Sequence, residues 1–179
     1  MSQFFVSVNE NFLDEEMYKT FRTFAETTTI FDQNVNDTVW NQRVAHAPQA
    51  SQEIRELGKK YIELVKNKIM SDFNVEQEIY TDILCFNRWR VGDVQHPHAD
   101  EANGFSWRKF GCVLYLNEEY EGGSIYFPHK DVEVKPKANT LAFFPGNEEF
   151  LHGVREITSG IRYTLSTFWG YEPERAVRL

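Results

Sequence analysis

Cysteine is nearly absent from the chain. Two thiols in 179 residues, Cys85 and Cys112, are too few for a cysteine-rich zinc module. Each sits inside an apolar run, so both are expected as buried free thiols and not as a disulfide. Long hydrophobic stretches are missing as well: nothing approaches the run of about 20 apolar residues that a bilayer-spanning helix needs. The opening MSQFFVSVNENFL has neither a basic leader nor a sustained apolar core. A cytoplasmic protein with no membrane association is the expectation. Positive charge is in deficit, with 19 Lys and Arg against 27 Asp and Glu and a formal net charge of -8. That balance argues against affinity built on neutralising phosphates or an anionic membrane, so nucleic acid is a poor partner. Repeats, low-complexity tracts and Gly/Ser linkers are also lacking, and single turns punctuate the chain.

What is present is core material: 41% hydrophobic residues, 15% aromatic, enough for one compact domain spanning 1–179. Its periodicity changes along the chain. Asp14 is a plausible N-cap, after which Met17, Phe21 and Phe24 recur at helical spacing; Ile54, Leu57, Tyr61, Val65 and Ile69 repeat the pattern. About residues 1–76 are therefore expected as helical support. From about residue 77 the runs shorten and favour β-branched and aromatic residues: ILCF, FGCVLYLN, SIYF, VEVK, TLAFF and RYTLSTFW. Turn clusters at Glu121-Gly122-Gly123 and Pro145-Gly146-Asn147 separate some of them. This pattern predicts a mainly β core of antiparallel strands, sandwich or barrel, with flanking α-helices and a short C-terminal tail after about 170.

Inside the β half lies VQHPHADE. His98 and Asp100 are two apart and leave the same face of an extended strand, so both can reach one ion. His152, in FLHGV after another strand-like run, is the natural third ligand. Two histidines and a carboxylate on one side of an ion leave positions open, the arrangement suited to Fe(II) oxygenases. By itself the His-x-Asp spacing is weak, since chance yields it often. His96 alternates with His98 and Asp100 and is expected at the rim, because three ligands on one short strand splay too far. His46, in the polar segment AHAPQ, and His129, in the turn FPHK, read as ordinary surface or turn residues.

The wider spacing resembles that of the prolyl-4-hydroxylase-like Fe(II)/2-oxoglutarate-dependent dioxygenases. Trp89-Arg90-Val91-Gly92 and Pro97-His98-Ala99-Asp100 are similar to that family's aromatic-x-x-Gly and Pro-His-x-Asp elements. Arg108 then leads to Tyr115-Leu116-Asn117, Gly122-Gly123 precedes Phe127-Pro128, and His152-Gly153 leads to Ser159-Gly160-Ile161-Arg162-Tyr163. The resemblance runs from about residue 84 to 169. It implies a double-stranded β-helix, or jelly-roll, core over about 77–170, supported by the N-terminal helices. The implied activity is hydroxylation of an unactivated C–H bond, with 2-oxoglutarate and O2 converted to succinate and CO2. Fe(II), 2-oxoglutarate and O2 are the implied cofactors, with ascorbate as a candidate reductant.

On the same resemblance Arg162 holds the far carboxylate of 2-oxoglutarate, a task suited to a guanidinium fork. Tyr115 contacts that cosubstrate, and Ser166 shares the Arg162 face. Trp89 replaces the tyrosine of many relatives and lacks its phenol, and Gly122-Gly123-Ser124-Ile125 departs from their Gly-Gly-Glu-Thr. Substrate-side candidates are Arg108, Trp107, Phe105 and His96, with the loop Glu101 to Trp107 at the opening. A prolyl residue in a peptide or protein is the implied substrate. The competing readings are a cupin-like metal-binding module and a dioxygenase acting on a small molecule or a nucleic acid, the last because Arg88, Arg90, Arg108, Lys109 and Lys130 could ring the mouth.

Overall fold

A computed structural model describes residues 5–102 and 104–179. Helix α1 (Glu15–Thr27) begins where Asp14 accepts a hydrogen bond from the Met17 amide, and Glu15 and Glu16 face the positive end of its dipole. Its buried stripe is Met17, Phe21 and Ala25. A one-turn helix α2 (Ile30–Gln33) follows, and α3 (Gln52–Asp72) starts at Ser51, which caps Ile54, and buries Ile54, Tyr61, Val65 and Ile69. The N-terminal part is not purely helical. It also supplies two three-residue edge strands, β1 (Ser7–Asn9) and β2 (Val44–His46), too short to show a period of their own.

The remaining strands are β3 (Tyr80–Trp89), β4 (Gln95–His98), β5 (Phe110–Tyr115), β6 (Tyr120–Gly122), β7 (Ile125–Phe127), β8 (Val132–Val134), β9 (Thr140–Pro145), β10 (His152–Val154), β11 (Ile157–Gly160) and β12 (Arg162–Gly170). A six-stranded sheet runs β1-β9-β5-β12-β3-β2, and a four-stranded sheet runs β4-β10-β7-β8. β11 and β6 form a separate ribbon. Every pairing is antiparallel. The turn from β6 to β7 needs left-handed backbone at Gly122 (φ 76°) and Gly123 (φ 67°), which glycine adopts without steric cost.

Strand alternation divides the large sheet into two faces. Leu84 and Phe86 of β3 and Leu165 of β12 point to the helices, where Phe86 meets Phe21 and Phe24 edge-on at 5.6 and 4.7 Å. Cys85, Asn87 and Trp89 of β3 and Arg162, Thr164, Ser166 and Phe168 of β12 line a cavity of about 480 Å³ instead. His98 of β4 and His152 and Val154 of β10 close that cavity from the smaller sheet. This is the double-stranded β-helix with its helices packed on the outer face of the large sheet. Both cysteines are buried and free, as expected. Among the described residues no helix is long and apolar enough to cross a membrane.

Candidate metal centre and its cavity

β4 and β10 run side by side with His98 opposite His152, which brings the two imidazoles to 4.5 Å between ring centroids. Asp100 lies two residues past the end of β4, in a turn and not on the strand, and its Oδ1 is 3.7 Å from His98 Nε2 and 3.6 Å from His152 Nε2. Metal–ligand bonds of about 2.0–2.2 Å place donors about 3.0 Å apart at right angles and about 3.4 Å apart in a tetrahedron, so small rotations suffice to make a site. The tautomers are already set. Nδ1 of His98 donates to the His96 carbonyl at 3.1 Å, and Nδ1 of His152 donates to the Phe150 carbonyl at 3.1 Å. A carbonyl can only accept, so both Nε2 lone pairs face the Asp100 carboxylate.

Burial tunes the three groups toward the same end. It pushes His152 down to about 4 and lowers His98, whose neighbour His152 adds to the effect, while it raises Asp100 to about 6. Near neutral pH two neutral imidazoles and one carboxylate converge, with Asp100 Oδ2 buried and unpartnered. The seat of that carboxylate is shaped by missing side chains. A Cβ on Gly111 would stand 2.2 Å from Asp100 Oδ2, and one on Gly146 would stand 3.2 Å from Asp100 Cβ and 2.6 Å from the Arg108 carbonyl.

His96 does not follow the expected alternation. Between His152 and Val154 the pairing advances two residues on β10 and three on β4, from His98 to Gln95. That bulge turns the Gln95 side chain into the cavity, where its amide nitrogen lies 3.3 Å from His98 Nε2, and leaves His96 exposed outside the cavity lining. His129 is exposed in the turn after β7, as expected. His46 departs from its surface reading: β2 pairs with β3, setting it beside Cys85 and half-buried on the cavity wall.

At one end of the cavity Arg162 is 2% exposed, and among the described residues it has no carboxylate within ion-pair distance. Its guanidinium lies 4.9 Å from the Tyr115 ring and 5.3 Å from the Trp89 ring. Arg162 Nε, Tyr115 Oη and Thr140 Oγ1 are buried without a partner, and Tyr120 Oη faces the Arg162 guanidinium without a close hydrogen bond. They cluster: Thr140 is the cross-strand neighbour of Tyr115, and Arg162 and Tyr120 flank Gly123. Each such group costs about 1–3 kcal/mol unless something fills its valence. Ser166 lies on the Arg162 face as expected and accepts from Asn87 Nδ2 at 2.8 Å. Asn87 and Thr164 also line the cavity, as period two from Trp89 and Arg162 implies, although no motif marks either.

At the other end Arg108 lies between the rings of Phe105 (4.2 Å) and Phe168 (4.1 Å), its Nε donating to Asp82 Oδ2 at 2.8 Å. Phe105 and Arg108 line the cavity; residue 103 of their loop lies outside the described residues. Trp107 does not line it, because its Nε1 donates to the same Asp82 oxygen and Arg175 stacks on its ring. Of the other basic residues expected to ring the mouth, none lines the cavity, and each is paired: Arg88 and Arg90 with Asp32, Lys109 with Glu101, Lys130 with Glu149. Arg155, in the loop after β10, is half-exposed and bound to Glu133.

Residues 84–170, which supply both histidines, Asp100 and Arg162, match the family described as the 2OG-Fe(II) oxygenase superfamily. The match covers 87 of the 179 residues, a little under half of the chain. It is 28% identical over 106 residues to prolyl 3-hydroxylase 1 of Gallus gallus, covering 56% of this chain and 14% of that protein. The chain thus spans about a seventh of that curated relative. Among solved structures it is similar to the viral collagen prolyl hydroxylase of Paramecium Bursaria Chlorella virus-1 (TM-score 0.70, 18% identity, 97% and 96% of the two chains). It is also similar to a Trichoplax adhaerens prolyl hydroxylase solved with a hypoxia inducible factor peptide (TM-score 0.73, 16% identity, 95% and 85%). At such identities the structures establish the fold. The donor set fits the superfamily's Fe(II): two imidazole lone pairs and one carboxylate with an orphaned oxygen, His152 and Asp100 buried and His98 half-buried, are what a divalent cation would stabilise. The unpaired polar cluster around Arg162 likewise fits a 2-oxoglutarate carboxylate.

Proposed function

We propose that the protein is an Fe(II)- and 2-oxoglutarate-dependent dioxygenase that hydroxylates a prolyl residue of a peptide or protein. The observation that carries this reading is the buried cation Arg162, without a counter-ion among the described residues and surrounded by unpartnered hydroxyl groups, in one cavity with His98, Asp100 and His152. In this reading the three side chains hold iron by one face. Arg162 takes the distal carboxylate of 2-oxoglutarate, with Tyr115 and Ser166 as further polar contacts and Trp89 as a wall. When bound, iron and 2-oxoglutarate activate O2 for insertion into a C–H bond. The chain's own residues hold the lone pairs in place, orient the cosubstrate and exclude water. Phe105 and Arg108 face the substrate, whereas Trp107 acts from outside the cavity through Asp82 and His96 lies outside it. The prolyl assignment is supported by the prolyl 3-hydroxylase relatives.

The test is turnover of 2-oxoglutarate against proline-containing peptides, free amino acids and single-stranded oligonucleotides, reading succinate and a product mass increased by one oxygen. Peptide-dependent turnover with the oxygen on a proline ring is expected, and product analysis separates C3 from C4. Substrate-dependent turnover confined to oligonucleotides or free amino acids would overturn the prolyl assignment. Absence of anaerobic 2-oxoglutarate binding to the iron-loaded protein would overturn the whole reading.

A further inference from the structure

The two histidines of the metal centre differ in what reaches their lone pairs. His152 Nε2 has no hydrogen-bond donor among the described residues and faces Asp100 Oδ1 at 3.6 Å. His98 Nε2 has the amide nitrogen of Gln95 at 3.3 Å. We propose that Gln95 competes with the metal ion for the His98 lone pair, a displaceable cap that sets how tightly and how fast this centre takes a divalent cation. The proposal rests on the metal site of the function proposed above and adds a positioning residue to it.

Three observations support it. The direction of the contact is fixed from the far side of the ring: Nδ1 gives its proton to the His96 carbonyl at 3.1 Å, so Nε2 can only accept, and of the Gln95 amide only the nitrogen can donate to it. A metal on His98 Nε2 and the Gln95 N–H therefore exclude each other. The fold also builds the contact. The bulge between β4 and β10 turns Gln95 into the cavity three residues before His98, with Val154 as its partner across the pairing. A Cβ on Gly153 would stand 2.6 Å from the Gln95 carbonyl, so glycine at that position lets β10 close on the backbone that carries the amide. Lastly, the capped ligand is the outer one, its side chain 31% exposed against 7% for His152 and 3% for Asp100. An entering ion gains the bare donors of Asp100 and His152 without displacing any donor, and the site closes only when Gln95 gives up the His98 lone pair. A neutral hydrogen bond of this kind is a weak competitor, enough to shift a metal equilibrium by a small factor and not enough to prevent binding.

The test follows Co(II) binding to the full chain in competition with a chelator, read by the d–d absorption of the bound ion. Gln95→Leu removes the donor and keeps most of the side-chain volume. It should bind Co(II) about three- to tenfold more tightly than wild type and take it up faster, while the metal-free variant unfolds at a slightly lower urea concentration. A general structural role would move the two readouts together, weakening both. In wild-type protein labelled with nitrogen-15, the Gln95 side-chain amide signal, assigned by its loss in Gln95→Leu, should move on addition of one equivalent of Zn(II). Co(II) affinity equal to or weaker than wild type in Gln95→Leu, or a Gln95 amide signal unmoved by Zn(II), would overturn this inference and leave the metal site standing. Should Gln95→Leu fail to fold, Gln95→Ala carries the same expectation and the same reversal. Failure of the wild-type protein to bind Co(II) at all would overturn the metal site itself, and this inference with it.

Discussion

Arg162 and Arg108 reach into one cavity from opposite surroundings. Arg162 is buried beside the Tyr120 hydroxyl and near the unpartnered hydroxyls of Tyr115 and Thr140, while Arg108 is sandwiched between two rings and neutralised by a carboxylate. A buried guanidinium without a counter-ion is costly in a low-dielectric site and stays charged, so its environment favours an anion. A neutralised one offers directed N–H groups without net charge. The pair shows that residue type alone does not assign an arginine its ligand; the neighbouring carboxylate, or its absence, does.

The comparison breaks most completely if the metal position between the two ends is misplaced. His152→Ala and Asp100→Ala are each expected to weaken anaerobic Fe(II) binding by at least about a thousandfold, beyond the ten- to hundredfold typical of an outer-shell change. His129→Ala should leave it intact; an equal loss there would sink the ligand assignment. Next in size is the Arg162 end. A charge-assisted bidentate contact worth about 2–4 kcal/mol makes Arg162→Ala raise the 2-oxoglutarate requirement about 30- to 1000-fold at nearly unchanged Fe(II) affinity. Arg162→Lys should fall between, and Arg155→Ala, at an exposed ion pair, should stay close to wild type. Charge-transfer absorption of the anaerobic complex reads all three, and a larger loss in Arg155→Ala than in Arg162→Ala would reverse the choice of arginine.

Smaller still is the effect of pH on the metal. Asp100, raised to about 6 by burial, must lose its proton before it ligates, and His152, lowered to about 4, is already neutral there. Fe(II) affinity should therefore fall about tenfold per pH unit below about 6 and more steeply near 4. Titrations at pH 7, 6 and 5 check this, and an unchanged affinity at pH 5 would contradict it. The smallest change is Trp107→Phe, which removes one donor from Asp82 and should cost about 1 kcal/mol in urea unfolding. A changed 2-oxoglutarate affinity in that variant would place Trp107 nearer the cosubstrate than its contacts do.

Much of this was legible in the residues. Asp14 caps α1 as expected, the apolar stripe of α3 is buried, and the runs ILCF, FGCVLYLN, TLAFF and RYTLSTFW became β3, β5, β9 and β12. Period two also brought Ser166 to the Arg162 side. Direction was not legible where pairing, not period, sets it. His96 points out and Gln95 in because β4 carries a bulge against β10. His46 reached the cavity because three residues of the N-terminal part pair with β3.

The sequence by itself determined the periodicities, the order of the motifs and the identity of the donor atoms, since these depend on local spacing and side-chain chemistry. Only the tertiary structure decided which donors converge, which arginine keeps a free charge, and that Gly111 and Gly146 make room for Asp100. The physical reason is distance along the chain. Asp82 and Arg108, or Asp100 and His152, are brought together by sheet pairing and by packing between sheets, and neither is encoded in the spacing of neighbouring residues.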